Sequence, residues 1–125
     1  MATKKPIPFN FVLEYLEPLP YVVKPFFGCH GIYIGPKIML ILRDRVDHTE
    51  SNGVWIATLH EHHASLKKTF PSMHSVSVLN NGVGETAWQM IPANANDFES
   101  SVLELCQLIR RKDERIGRVP KKKKK

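Results

Sequence analysis

The sequence predicts an α+β fold of two layers, an open antiparallel sheet of about five to six strands with helices on one face. Three observations predict it. Residues 32–34 and 38–42 are apolar, β-branched-rich runs separated by Gly35-Pro36-Lys37, which is a hairpin pattern. Phe98, Val102, Leu105 and Ile109 recur at spacings of four, three and four, the signature of one helix face. The patterns run helix, about four strands, helix, two strands, helix, so strands come in groups rather than alternating singly with helices.

Taken in order, residues 1–8 are polar and proline-bearing, and a flexible arm is expected there. Phe9, Val12, Leu13, Leu16 and Leu19 have near-helical spacing and predict a helix over 9–17, stopped by Pro18 and Pro20. Residues 22–27 form a first strand, with Pro25 restricted to an edge or bulge because it lacks an N–H. Gly28 and Gly31 bracket a permissive turn at Cys29-His30. The run 38–42 is apolar without alternation, which places it in the middle of a sheet or has its second face covered by a partner. Residues 43–52 are charged and are expected to be a solvated hairpin loop ending at Ser51-Asn52-Gly53.

Residues 54–57 read as a strand running into a helix. Thr58 and Glu61 have capping-box spacing, and Leu59, His63, Leu66 and Phe70 mark one face. Lys67 and Lys68 fall in its last turn, the favourable end of the helix dipole, and Pro71 stops it. Residues 72–79 are β-like, Asn80-Asn81-Gly82-Val83-Gly84 is a turn, and residues 85–91 form a strand stopped by Pro92. Asn96 and Glu99 again have cap-like spacing, before a helix over 97–112.

A chain of 125 residues is one domain with a core that needs neither disulfide nor metal. The expected division is an arm over 1–8, a domain over 9–116 and a disordered basic tail over 117–125. No run of about twenty apolar residues exists, so no membrane span is expected. Lys4 and Lys5 are not followed by the apolar stretch of a signal peptide. Cys29 and Cys106 are expected to be free thiols in a reducing cytoplasm. The net charge of +6 is unevenly distributed. Residues 1–109 hold eight Lys+Arg and ten Asp+Glu, whereas residues 110–125 hold ten and two, so a mildly acidic body of −2 carries a segment of +8.

Phe26-Phe27-Gly28-Cys29-His30-Gly31-Ile32-Tyr33-Ile34, followed by Lys37-Ile38-Met39, resembles the opening of TfoX N-terminal domains, with Cys29 where the second glycine is usual. Trp55 on a strand, a helix ending in Thr69-Phe70-Pro71 and a strand pair with Trp88 are similar to MmcQ/YjbR-like chains, whose architecture resembles secretion chaperones. The likeness spans residues 9–109. It departs at residues 80–86, poorer in base and histidine than the segment that leads to the Trp in those chains. The resemblance implies a non-enzymatic protein with a regulatory or DNA-associated role. The alternative is a protein-interaction module, a homodimer or chaperone-like binder that covers Trp55, Trp88 and the 38–42 strand.

Nothing in the residues argues for an enzyme, a cofactor or a metal site. His60-Glu61-His62-His63 fails the zincin pattern, because Ala64 stands where the second histidine is required. His60 and His63 could hold a metal only with a third ligand, and a partly exposed helix start is expected instead. Cys29-His30 lacks an orienting third group. Gly28-x-x-Gly31 lacks the following helix and Lys-Ser/Thr of a phosphate loop. Asp44, Asp47, His48 and Glu50 do not fit EF-hand spacing. That leaves Arg110, Arg111, Lys112, Arg115, Arg118, Lys121, Lys122, Lys123, Lys124 and Lys125 as candidate nucleic-acid contacts. Such cations bind phosphates without sequence preference and with strong salt dependence; the bland reading is a solvated tail.

Overall fold

The third strand organises the sheet. The computed structural model describes residues 8–26, 28–76 and 88–119. Within them the elements are α1 (Phe11–Leu16), β1 (Tyr21–Phe26), β2 (Cys29–Ile34), β3 (Lys37–Arg43), β4 (Gly53–Ile56), α2 (His63–Thr69), β5 (His74–Ser75), β6 (Gln89–Pro92) and α3 (Phe98–Arg110). All pairings are antiparallel, in the order β1-β2-β3-β4-β6-β5. The α+β class and the open six-stranded sheet agree with the sequence expectation. Pro25 lies on edge strand β1, where a missing donor costs least.

The hairpin connection is two residues, not three. Lys37 already pairs with Ile34. Gly35 has φ +59°, and Pro36 has a negative φ by covalent constraint, the sign pattern of a type II′ turn. The Cys29-His30 turn is also corrected. Both residues pair within β2, and the reversal falls one step earlier, at Gly28 with φ +81°.

Met39 explains the missing alternation. Ile32 faces Leu40 while Tyr33 faces Ile38, so Met39 is the extra residue of a β-bulge. The bulge turns Met39 to the same face as Leu40 and Leu42, leaving Ile38 and Ile41 on the other. On the first face Ile32, Leu40, Leu42, Val54, Ile56 and Ile91 meet Val12 and Leu16 of α1, Leu66 of α2 with Phe70 just beyond it, and Val102, Leu105 and Ile109 of α3. These side chains are almost fully buried, each worth roughly 1.5–3 kcal/mol of transfer free energy.

The second face carries Cys29, Ile38, Ile41, Trp55, Val76 and Met90, with Phe26 and Trp88 packed against them. The Trp88 ring lies 6.1 Å from Trp55 and 6.4 Å from Phe26. Trp55 is 5% exposed, and its indole N–H donates to the Ser51 carbonyl at 2.9 Å. Ile38, Met39, Leu40, Ile41 and Leu42 are buried too. A homodimer is therefore not needed to hide Trp55 or the 38–42 strand.

Three local expectations give way to tertiary contacts. Thr58 does not cap α2. Its buried hydroxyl donates to the Arg115 carbonyl at 2.6 Å, and the helix opens instead with a 3-10 turn over His60–His62. Leu59 is 43% exposed, off the buried face. The 43–52 loop is not solvated throughout. Arg43 is 4% exposed and donates from Nη1 to His48 O (2.9 Å) and Asn52 Oδ1 (2.7 Å), and from Nη2 to Asp47 O (3.0 Å). The expected strands over 72–79 and 85–91 are described only as β5 and β6. Residues 77–87, with the Asn80–Gly84 turn, lie outside the described residues.

Candidate functional site

The charge asymmetry makes the chain after α3 the first candidate. The C-terminus of α3 is closed by paired backbone bonds, Lys112 N–H to Ile109 O (2.9 Å) and Asp113 N–H to Leu108 O (3.0 Å). This is the Schellman arrangement, with Lys112 at the left-handed position (φ +63°) where glycine is usual. Arg110, Arg111 and Lys112 are exposed around this end. A helix C-terminus has the negative end of the macrodipole, so cations are stable there.

Arg115 behaves differently. Nε and Nη2 donate to the two Asp113 carboxylate oxygens at 2.9 and 2.8 Å, and Nη1 donates to Ser65 Oγ at 2.8 Å. The Asp113 carboxyl is held down to about 2, chiefly by the Arg115 hydrogen bond. Both side chains are largely covered, 26% and 20% exposed. Arg115 thus staples the C-terminal turn to α2 and, through its carbonyl, to Thr58. Its charge is balanced within the fold, which separates it from its neighbours as a phosphate contact.

Ordered structure continues past Ile116. Ile116 enters the core at 1% exposed. Gly117 N–H donates to Ala57 O at 2.7 Å, and Arg118 exchanges both backbone bonds with Ile38 (2.8 and 3.0 Å). The vacancy exists because β4 pairs with β3 only down to Leu40, and Arg118 takes the next place along that side. Gly117 has φ +109°, and a Cβ there would stand 2.7 Å from Met39 Sδ. Arg118 is therefore tied by its backbone, with its half-buried side chain beside the start of β3. Lys121, Lys122, Lys123, Lys124 and Lys125 lie outside the described residues.

The remaining sequence candidates separate. The His60 and His63 rings sit 4.9 Å apart, while His62 Nε2 lies 3.5 Å from the Glu61 carboxylate. Among the described residues no group of three or more His, Cys, Asp or Glu side chains is placed to share a metal. Cys29 is buried on the second sheet face. Burial raises its thiol pKa, and Arg43 and Arg45 only partly oppose that. Cys106 is fully buried and pushed up to about 12 by desolvation. Neither sulfur is joined in a disulfide. His30 Nδ1 is buried without a hydrogen-bond partner among the described residues.

Two hollows flank the β3–β4 loop. One, of about 640 Å³, is walled by Gly28, His30, Asp44 and Arg45, and the other, of about 510 Å³, by Phe9, Asp44 and Glu50. Arg45 reaches Gly28 O at 3.3 Å and Asp47 Oδ1 at 3.1 Å. Only the absence of a Cβ at Gly28 admits the guanidinium. A third hollow of about 510 Å³ lies between α2 and the β5–β6 edge, bordered by His63, Lys67, His74, Ser75 and Gln89. None of these hollows has a periodic signal in the sequence, since each joins residues that only strand pairing brings together. Among the described residues no helix is long and apolar enough to cross a membrane. No family model, curated protein or solved structure matches the chain.

Proposed function

We propose that the chain is a non-enzymatic, TfoX-N/YjbR-like α+β protein that contacts nucleic acid through its C-terminal cations, without reading sequence. The observation that carries this reading is the concentration of +8 in residues 110–125 against −2 in the rest. The geometry supports it in two ways. Arg110, Arg111 and Lys112 project from the exposed end of α3. The Arg118–Ile38 pairing ties the chain to the sheet three positions before the lysine run begins in the sequence. The order helix, four strands, helix, two strands, helix is what the resemblance implies for the architecture.

In this reading Lys121, Lys122, Lys123, Lys124 and Lys125 act with Arg110, Arg111 and Lys112 by neutralising phosphates and releasing counterions. Arg115 acts instead on stability. The test is sequence independence. Three unrelated duplexes of roughly 20 base pairs bind within about twofold of one another at fixed salt. A preference beyond about tenfold would mean base readout by the folded body and would overturn the proposal.

A further inference from the structure

The hollow between α2 and the β5–β6 edge differs in charge from the two beside the β3–β4 loop. Those have carboxylates in their walls, Asp44 in one and Asp44 with Glu50 in the other. Among the described residues the α2–β5 hollow is bordered by His63, Lys67 and His74, with no carboxylate. His63 and Lys67 are four apart on α2 and therefore share its face toward β5. Lys67 Nζ donates to the Met73 carbonyl, which holds the ammonium at the rim and leaves two further donors.

The polar floor is also fixed. Gln89, 3% exposed, donates from Nε2 to Ser75 Oγ at 2.9 Å and to Trp88 O at 3.1 Å. Ser75 Oγ accepts that bond, so its own hydroxyl proton remains available as a donor. His74 Nδ1 lies 2.8 Å from the Ser75 carbonyl. A carbonyl can only accept, so Nδ1 carries hydrogen and Nε2 is the nitrogen turned to other partners. An ammonium, a hydroxyl and two imidazoles thus converge on one hollow of about 510 Å³, with Ala64 as apolar wall. That volume lies in the small-molecule range and exceeds what a bare oxyanion needs.

We propose that this hollow is a phosphate-binding site, with Lys67 and the Ser75 hydroxyl as donors, His63 and His74 flanking the anion, and Ala64 beside the body of a phosphomonoester. The inference does not rest on the C-terminal cations. The same phosphate chemistry is presented by a free phosphomonoester and by a nucleic-acid backbone, and the experiment separates them.

The full chain is titrated with inorganic phosphate, with ribose 5-phosphate and with a duplex of roughly 20 base pairs, while the imidazole resonances of all six histidines are followed by NMR. Saturable shifts are expected at His63 and His74 and not at His30 or His48. Lys67→Gln is expected to weaken binding about tenfold, through loss of a charge-assisted bond. Lys68→Gln, outside the hollow, is expected to leave it unchanged. Lys67→Gln also alters the latch to Met73, so exposed His74→Gln serves as the second variant, with an expected loss of about fivefold. Shifts with ribose 5-phosphate but not the duplex assign a small-molecule source; shifts with the duplex alone assign a backbone phosphate. No saturable shift at His63 and His74 with any probe would overturn the proposal, as would equal losses in Lys67→Gln and Lys68→Gln.

Discussion

Replacing Arg115 by glutamine should change stability rather than nucleic-acid affinity, and in a pH-dependent way. The substitution removes both guanidinium bonds to Asp113 and the bond to Ser65. The backbone N–H of residue 115 still donates to Asp113 Oδ1, so the carboxylate is not orphaned. A bidentate charge-assisted pair is strong in isolation, but a fifth to a quarter of each side chain meets water. Discounting for that screening leaves about 1.5 kcal/mol, or roughly 6 °C in Tm for a domain of this size. Asp113 is depressed to about 2 in the folded chain, against about 3.9 for a free Asp. A depressed carboxyl stabilises the fold above its unfolded pKa and loses that contribution as pH falls through the folded one. The gap between wild type and Arg115→Gln should therefore be full near pH 7, begin to shrink below about pH 4 and nearly close by about pH 2. Urea unfolding at these three pH values measures it. A gap below about 0.3 kcal/mol at neutral pH, or one that ignores pH, would refute the staple.

Three further substitutions test other joints. Gly53→Ala would place a Cβ 2.2 Å from the Ile91 carbonyl at φ +148°, so a loss of roughly 2–4 kcal/mol is expected in thermal unfolding. Lys112→Gly relieves the left-handed residue of the α3 cap and should stabilise by about 0.5–1 kcal/mol, seen as a raised urea midpoint with unchanged m. Arg43→Met leaves the His48 and Asp47 carbonyls without their donor beneath the β3–β4 loop, with an expected cost of about 2–3 kcal/mol by the same measurement.

The architecture was legible because its signals are local. A reversal at Gly35-Pro36 between apolar runs, though not its two-residue length, the α3 stripe from Phe98 to Ile109 and the charge step at residue 110 can each be read within a short window. The bulge at Met39 was not, since an unbroken apolar run looks the same whether alternation is lost by two-sided burial or by an extra residue. Thr58 had the right spacing for a cap, but its hydroxyl is taken by a carbonyl 57 residues away. The same long-range closure explains why the C-terminal segment does not simply leave the fold at Ile116. Arg118 pairs with Ile38 only because β4 stops short beside β3. Arg115 and Arg118 read as members of one basic run. One is balanced by Asp113 and the other is tied by its backbone. The hollow between α2 and β5 has no sequence signature, because His63 and Lys67 meet His74, Ser75 and Gln89 only through the fold.

The most direct test of nucleic-acid contact through the C-terminal cations is the salt slope of duplex binding by fluorescence anisotropy. The full chain is compared with one ending at Val119, at roughly 50 and 200 mM salt. If Arg110, Arg111, Lys112 and the five terminal lysines all reach phosphate, the full chain should lose about 10⁴-fold in affinity between the two conditions. The shortened chain, with three of those cations, should bind more weakly and lose only about 40-fold. Equal slopes for the two chains, or no binding by the full chain at the lower salt, would contradict the account.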